Sequence, residues 1–146
     1  MLCYHWITRC TAVCCALLLS ACSLTDNYNA QAHQQLEGLE TLHLHFIADA
    51  ATAPLDTNII AQDDSELRQG FDDALMLAAT LNDPLRIENL TLLEENYFRL
   101  HARVIRQNSA LTEVQARLFT QQARQAWQLA IEGECLRPGS ACHPEK

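Results

Sequence analysis

Four apolar stripes at helical spacing constrain this chain more than any other feature. Ala32, Leu36, Leu39, His43, Phe46 and Ala50 alternate by four and three residues, the period of one face of an α-helix. This stripe predicts a first helix over residues 28–51. Leu67, Phe71, Ala74, Ala78 and Leu81 give a second stripe, and Leu90, Leu93, Tyr97, Leu100 and Val104 a third. Ala116, Phe119, Ala123, Ala126 and Ala130 give the fourth. No window sustains the period-two alternation with β-branched enrichment that a strand requires.

Between the stripes lie stop and start signals. Pro54 followed by Asp56-Thr57-Asn58 reads as a loop. Asp63 with Glu66 three residues on reads as a capping box, with acids in the first turn to suit the helix dipole, so the second helix is expected from there to near Asn82. Asn82-Asp83-Pro84 places an N-cap candidate before a proline at the first helical position. Asn108-Ser109 closes the third helix. Thr112 with Gln115 forms another capping box, with Leu111 placed to staple onto Ala116, and Gly133 reads as the stop of the fourth helix. Short connections favour antiparallel neighbours, so the expected fold is all-α: an up-down-up-down four-helix bundle over residues 28–134. The Ala-rich face of the fourth helix would admit close approach of a neighbour, while Tyr97, Phe98, Phe46 and Phe71 fill the wider layers.

The N-terminal segment has a different character. Residues 1–9 carry one fixed positive charge, Arg9, and no acid, and residues 11–19 are almost wholly apolar, the pattern of a secretory signal. The run falls short of the ~20 apolar residues that cross a bilayer. It closes on Leu19-Ser20-Ala21-Cys22, which resembles the lipobox of bacterial lipoproteins. The resemblance implies that residues 1–21 are a cleaved lipoprotein signal peptide and that Cys22 carries the lipid. Acyl chains, each methylene contributing about 0.8 kcal/mol, would then hold the protein on a membrane with the polypeptide outside it. Ser23, where an Asp would otherwise follow the cysteine, is by similarity to enterobacterial lipoproteins the pattern sorted to the outer membrane. The other reading is an ordinary signal or anchor in which Cys22 is incidental. Residues 22–27 form the lipidated cysteine and a polar tether, and the remainder is long enough for one domain.

Charge and cysteine usage narrow the partners. All 18 acidic residues follow Cys22 and nine of the ten basic residues do, so the mature chain has a formal charge of −9. Affinity for nucleic acid rests on cationic contacts to phosphate, so nucleic acid is not expected as a partner. Nothing polybasic follows the anchor to favour anionic lipid. Cys3, Cys10, Cys14 and Cys15 lie in the signal. That leaves Cys135 and Cys142, expected to pair as a disulfide in an oxidising compartment and to close the C-terminal tail, residues 135–146. So short a loop contributes on the order of 2.5 kcal/mol, enough to pin the tail without holding the fold together.

Few constellations invite chemistry. His43 and His45 are two apart, so on a helix they point about 200° from each other and do not chelate one ion together. His43 lies on the stripe and would need ligand partners from other helices, such as His101. The commoner role for such a residue is a hydrogen-bonded core or boundary histidine. The pair of Glu-x-x-His motifs that di-iron bundles carry on two helices is missing. Cys142-His143 near the end of a four-helix bundle resembles cytochromes of the c-prime type, but their motif is Cys-x-x-Cys-His, and six residues separate Cys135 from Cys142 here. The disulfide is the better account. The clusters 63–66, 72–73 and 94–95 are acidic without the oxygen spacing of an EF-hand and read as solvated helix starts and faces. There is no G-x-S-x-G, Gly-rich loop or H-E-x-x-H. No catalytic residue, metal set or cofactor is assigned, and the chain is not expected to be an enzyme.

The expectation is therefore a membrane-anchored, non-catalytic lipoprotein of the cell envelope, outer membrane favoured, whose helical domain binds a protein partner. Tyr28-Asn29-Ala30, Leu36 with Leu39, and the run from Ala126 to Glu134 (Ala-Trp-Gln-Leu-Ala-Ile-Glu-Gly-Glu) resemble a set of small helical lipoproteins of gammaproteobacteria. That resemblance implies no activity. The size, anchor, helical content and single disulfide also resemble the pilotins of type II secretion, which escort secretin subunits and hold a partner helix in an apolar groove. Their disulfide ties elements within the bundle, unlike the tail loop expected here. The alternative from a different class is a small ligand or metal inside the bundle, with His43 and Tyr97 as the polar residues facing it.

Overall fold

The computed structural model describes residues 26–142. The signal-like segment, Cys22 as the expected lipidation site, and His143 lie outside the described residues. Within them are four helices and no strand: α1 Ala30–Ala50, α2 Thr57–Thr80, α3 Pro84–Gln107 and α4 Glu113–Cys135, forming a four-helix bundle. No helix among the described residues is long and apolar enough to cross a membrane.

Each helix begins where a side chain can satisfy its free N–H groups. Asn29 caps α1 by accepting from the Ala32 N–H, and Asp83 caps α3 by accepting from the Arg86 N–H, with Pro84 at the first position. The Thr112–Gln115 capping box of α4 is present in both directions. Asn108, at φ 49°, ends α3 in the left-handed region, which Asn tolerates better than most residues.

Two boundaries differ from the sequence reading. α2 starts at Thr57, six residues before the expected capping box, because Asp56 accepts from the Asn58 and Ile59 N–H groups. Asp63 is thereby moved from a helix start to a buried position, on the same face as Ile60 and Leu67. α4 runs past Gly133 to Cys135, with Leu136 as the C-cap.

The core is the meeting of the four stripes. Phe46, Phe71, Leu67, Tyr97, Val104 and Trp127 are fully buried, and Phe71 stacks on Trp127 with centroids 5.9 Å apart. Trp127 takes the central place in α4 that the sequence reading gave to Ala126; both are four or three residues from Ala123, and the larger side chain is the one enclosed. Phe98 is only partly buried and lies under the Arg68 guanidinium, 4.3 Å from its ring centre.

The helix pairs are unequal. α1 packs against both α2 and α4, and α2 against α3, whereas α3 and α4 meet along only a short stretch. The small residues of α4 therefore do not draw α3 in: Ala130 and Gly133 line a cavity instead.

Candidate functional site

The open α3–α4 seam ends in a cluster of four charged residues. Asp83, Arg86, Glu134 and Arg137 are each at most 7% exposed. Arg86 grips Glu134 through two donors, Nε to Oε2 at 3.0 Å and Nη2 to Oε1 at 2.6 Å, and reaches Asp83 Oδ2 at 2.8 Å. Arg137 joins the same two acids, 2.6 Å from Asp83 Oδ2 and 2.9 Å from Glu134 Oε2. Two cations and two anions thus close a square in which each charge meets both opposites. That pairing offsets the desolvation that a buried ion otherwise suffers. Burial pushes the Asp83 carboxyl up, but the Arg86 N–H and Arg137 outweigh it and hold it below the usual carboxylate range.

The cluster also holds the entry of the chain. Arg86 Nη2 donates to the Asn27 carbonyl at 2.7 Å and Arg137 Nη1 to that of Asp26 at 3.2 Å. The Asn29 N–H donates to Glu134 Oε1 at 3.0 Å, and the Tyr28 N–H to the Pro138 carbonyl at 2.9 Å. Start of α1, start of α3, end of α4 and the tail loop are therefore knotted at one place. Cys135 and Cys142 are joined in a disulfide, Cα–Cα 5.5 Å, and Gly139 at φ 75° supplies the turn inside that loop. His33 Nε2 lies 3.5 Å from Cys135 Sγ.

Beside the cluster lies a cavity of about 140 Å³, floored by Leu36 and Leu90 and walled by Leu85 on α3 and by Ala130 and Leu136 on the α4 side. Leu92 and Leu129 sit seven residues, two helical turns, from Leu85 and Leu136, beyond the cavity lining but on the same sides of the two helices. These leucines are unusually open: of those lining the cavity Leu85 is 39% exposed and Leu136 86%, and beyond it Leu92 is 56% exposed and Leu129 65%. The result is an apolar groove bounded at one end by a rigid, internally neutral ionic cluster.

The residues singled out from the sequence lie elsewhere. His43 is buried between Tyr97 and Trp127, and its Nδ1 accepts from Trp127 Nε1 at 3.0 Å. The proton of its neutral form is thereby placed on Nε2, which has no partner, and burial lowers its pKa to about 4. Its basic lone pair is committed to Trp127, so it has none to offer a metal. Tyr97 donates to Asp64 Oδ1 at 2.8 Å. His101 also turns to that oxygen, at 3.7 Å. Burial raises the Tyr97 phenol, and the Asp64 carboxylate raises it further.

Among the described residues, two groups bring three ligand-type side chains together: His33 with Cys135 and Cys142, whose sulfurs are bonded to each other, and His45 with Asp49 and Asp63. His43 belongs to neither. Sequence reasoning missed Trp127, the four-residue ionic cluster and the burial of Asp63. The signal was available in part: Arg86 and Asp63 continue apolar stripes at helical spacing, and a charge on a stripe marks a partnered or a functional group.

Comparison with protein-family models, with curated proteins and with solved structures finds no match for this chain.

Proposed function

We propose that this chain is a lipid-anchored, non-catalytic interaction module whose α3–α4 groove receives an amphipathic helix of a protein partner. The observation that carries the reading is the open seam, with exposed leucines on both walls and a cavity between them. Contiguous exposed apolar surface on a small domain marks an interaction site, and spaced leucine anchors suit a helix laid in a groove. The partner chemistry follows from charge: a formal −8 over the whole chain favours a helix with apolar anchors and basic flanks.

The anchor at Cys22 gives the groove its place. Three residues, four Cα–Cα steps, separate Cys22 from Asp26, whose carbonyl is already held by Arg137. A chain that short reaches at most about 14 Å, so the end of the bundle bearing the ionic cluster and the cavity would lie against the membrane surface. An up-down-up-down course of the helices belongs to the same reading. It is supported by the meeting of the α3 start with the α4 end through Arg86–Glu134 and by the Leu111 N–H bond to the Ala50 carbonyl. The open groove also favours a pilotin-like form of the reading, in which the partner helix belongs to a secretin subunit.

A photo-crosslinking residue placed at Leu129, with Arg124 on the same helix as control, tests this in native membranes. The expected adduct at Leu129 maps to a peptide with apolar residues at i, i+3 or i+4 spacing and basic flanks, and disappears when Ala130→Trp fills the cavity. Equal adducts at both positions, or an Ala130→Trp variant that crosslinks unchanged, would overturn the groove as the site.

A further inference from the structure

We propose that His45, Asp49 and Asp63 form a binding site for one divalent transition-metal ion, of the Zn²⁺ class, bridging α1 and α2. His45 and Asp49 are four residues apart on α1 and so face the same way, and Asp63 approaches from the second turn of α2. One ligand atom from each lies within 4.8 Å of the other two.

The observation that asks for a cation is Asp63. It is 6% exposed, yet its Oδ2 is buried with no hydrogen-bond partner. Among the described residues only one other buried side-chain polar atom, His43 Nε2, is left so. A buried carboxylate oxygen without a donor is costly, and such a group in a folded protein calls for a specific explanation. Its surroundings add negative charge, since the Asp49 and Glu66 carboxylates both act on it and the nearest nitrogen base is the His45 imidazole. Nothing in that neighbourhood resembles the Arg–Glu pairing at the opposite cluster, where every buried anion has its cation.

The spacing fits the proposed ion. His45 Nε2 and Asp49 Oδ2 are 3.3 Å apart. Two ligands on a tetrahedral Zn²⁺ with bonds of about 2.0–2.1 Å lie about 3.3–3.4 Å from each other. An imidazole nitrogen with two carboxylates suits a borderline ion and disfavours Ca²⁺ or Mg²⁺, which take oxygen ligands alone. His45 is largely exposed, its side chain 61% accessible, so the outer side of the site is open to a water ligand or to a fourth group from a partner. The ion would join the last two turns of α1 to the second turn of α2 across residues 51–56.

The test uses the full chain in detergent with its free thiols alkylated, so that cysteines outside the disulfide do not compete. Calorimetric titration with ZnCl2 is expected to give one ion per chain and a thermal midpoint raised by several degrees at saturation. Affinity should fall at least about tenfold in both His45→Ala and Asp63→Asn, and be unchanged in His33→Ala. Asp63→Asn also relieves the carboxylate pair, so the variant is expected to fold; Asp49→Asn serves as a second probe if it does not. Zinc that binds equally well to Asp63→Asn would place the ion on exposed side chains alone, and no binding at millimolar zinc would mean that Asp63 is held as a protonated partner of Asp49. Either result overturns the proposal.

Discussion

Acidification should destabilise this bundle through His43, and the structure sets both the sign and the size. The ring is buried against Tyr97 and Trp127, and its Nδ1 already accepts the indole N–H at 3.0 Å. Protonation would place a second donor on that nitrogen inside an apolar core. Burial accordingly lowers the folded pKa to about 4 from the ordinary value of 6.5. Above about pH 6.5 the residue is neutral in both states and contributes nothing to pH dependence. Below it the unfolded chain takes up a proton that the folded chain refuses, so stability falls by about 1.4 kcal/mol per pH unit until pH approaches 4. Between pH 7 and pH 5 the loss is about 2 kcal/mol. Asp64 and Asp83, whose folded carboxyls are also depressed, lose stability as pH falls too. The measurement is therefore a difference. His43→Gln offers Trp127 a neutral acceptor and does not titrate. Urea unfolding of wild type and variant at several pH values, followed by Trp127 fluorescence, should show the wild type losing about 2 kcal/mol more than the variant from pH 7 to pH 5. Equal pH slopes for the two proteins would refute the account of His43 as a neutral core residue.

Three further outcomes follow from particular contacts. Arg86→Met removes both donors that Arg86 gives Glu134 and leaves the buried acid with Arg137 and the Asn29 N–H, so a loss of about 3–5 kcal/mol is expected in thermal or chemical unfolding; an unchanged midpoint would mean the cluster is not closed to water. The double change Cys135→Ser with Cys142→Ser should cost no more than about 2–3 kcal/mol and leave far-ultraviolet circular dichroism intact, since the loop it closes is short. Asp56→Ala should cost about 1 kcal/mol through loss of the α2 cap. Were the helix to begin at Asp63, that change would be nearly silent.

How much of this was legible in the sequence depended on the range of the interaction. The stripes of α1 and α3, the proline after Asp83, and the Thr112 capping box are local, and each reappears in the fold with its residues in the expected roles; the α2 stripe is buried from Leu67 to Ala78 but not at Leu81, and on α4 only Ala123 of the expected stripe is fully enclosed. The start of α2 misled because Asp56, Thr57 and Asn58 have loop composition, while Asp63 and Glu66 have capping-box spacing; only the bond from Asp56 to the Ile59 N–H decides between them. On α4, Ala126 and Trp127 both suit a helical period after Ala123, and the choice rests on which side chain finds Phe71 and His43 across the core. Arg86 and Glu134 are 48 residues apart, and no local rule pairs them.

The groove lay furthest out of reach, because it arises from a difference between helix pairs that four similar stripes do not encode. At the end of the bundle where α3, α4 and the chain entry converge, four charged side chains occupy space that apolar side chains would otherwise fill. Their hydrogen bonds are directional, so Arg86 and Arg137 hold the carbonyls of Asp26 and Asn27 in fixed positions, as an apolar layer could not. With that end tied by polar contacts and α4 carrying Ala130 and Gly133 just above it, nothing bulky closes the seam, and the cavity follows. Buried ionic clusters rarely add more stability than apolar residues of the same volume would, so their use here is best understood through what they position. What they position is the entry of the chain at residues 26 and 27 and the mouth of the groove, so the two are held in one fixed relation.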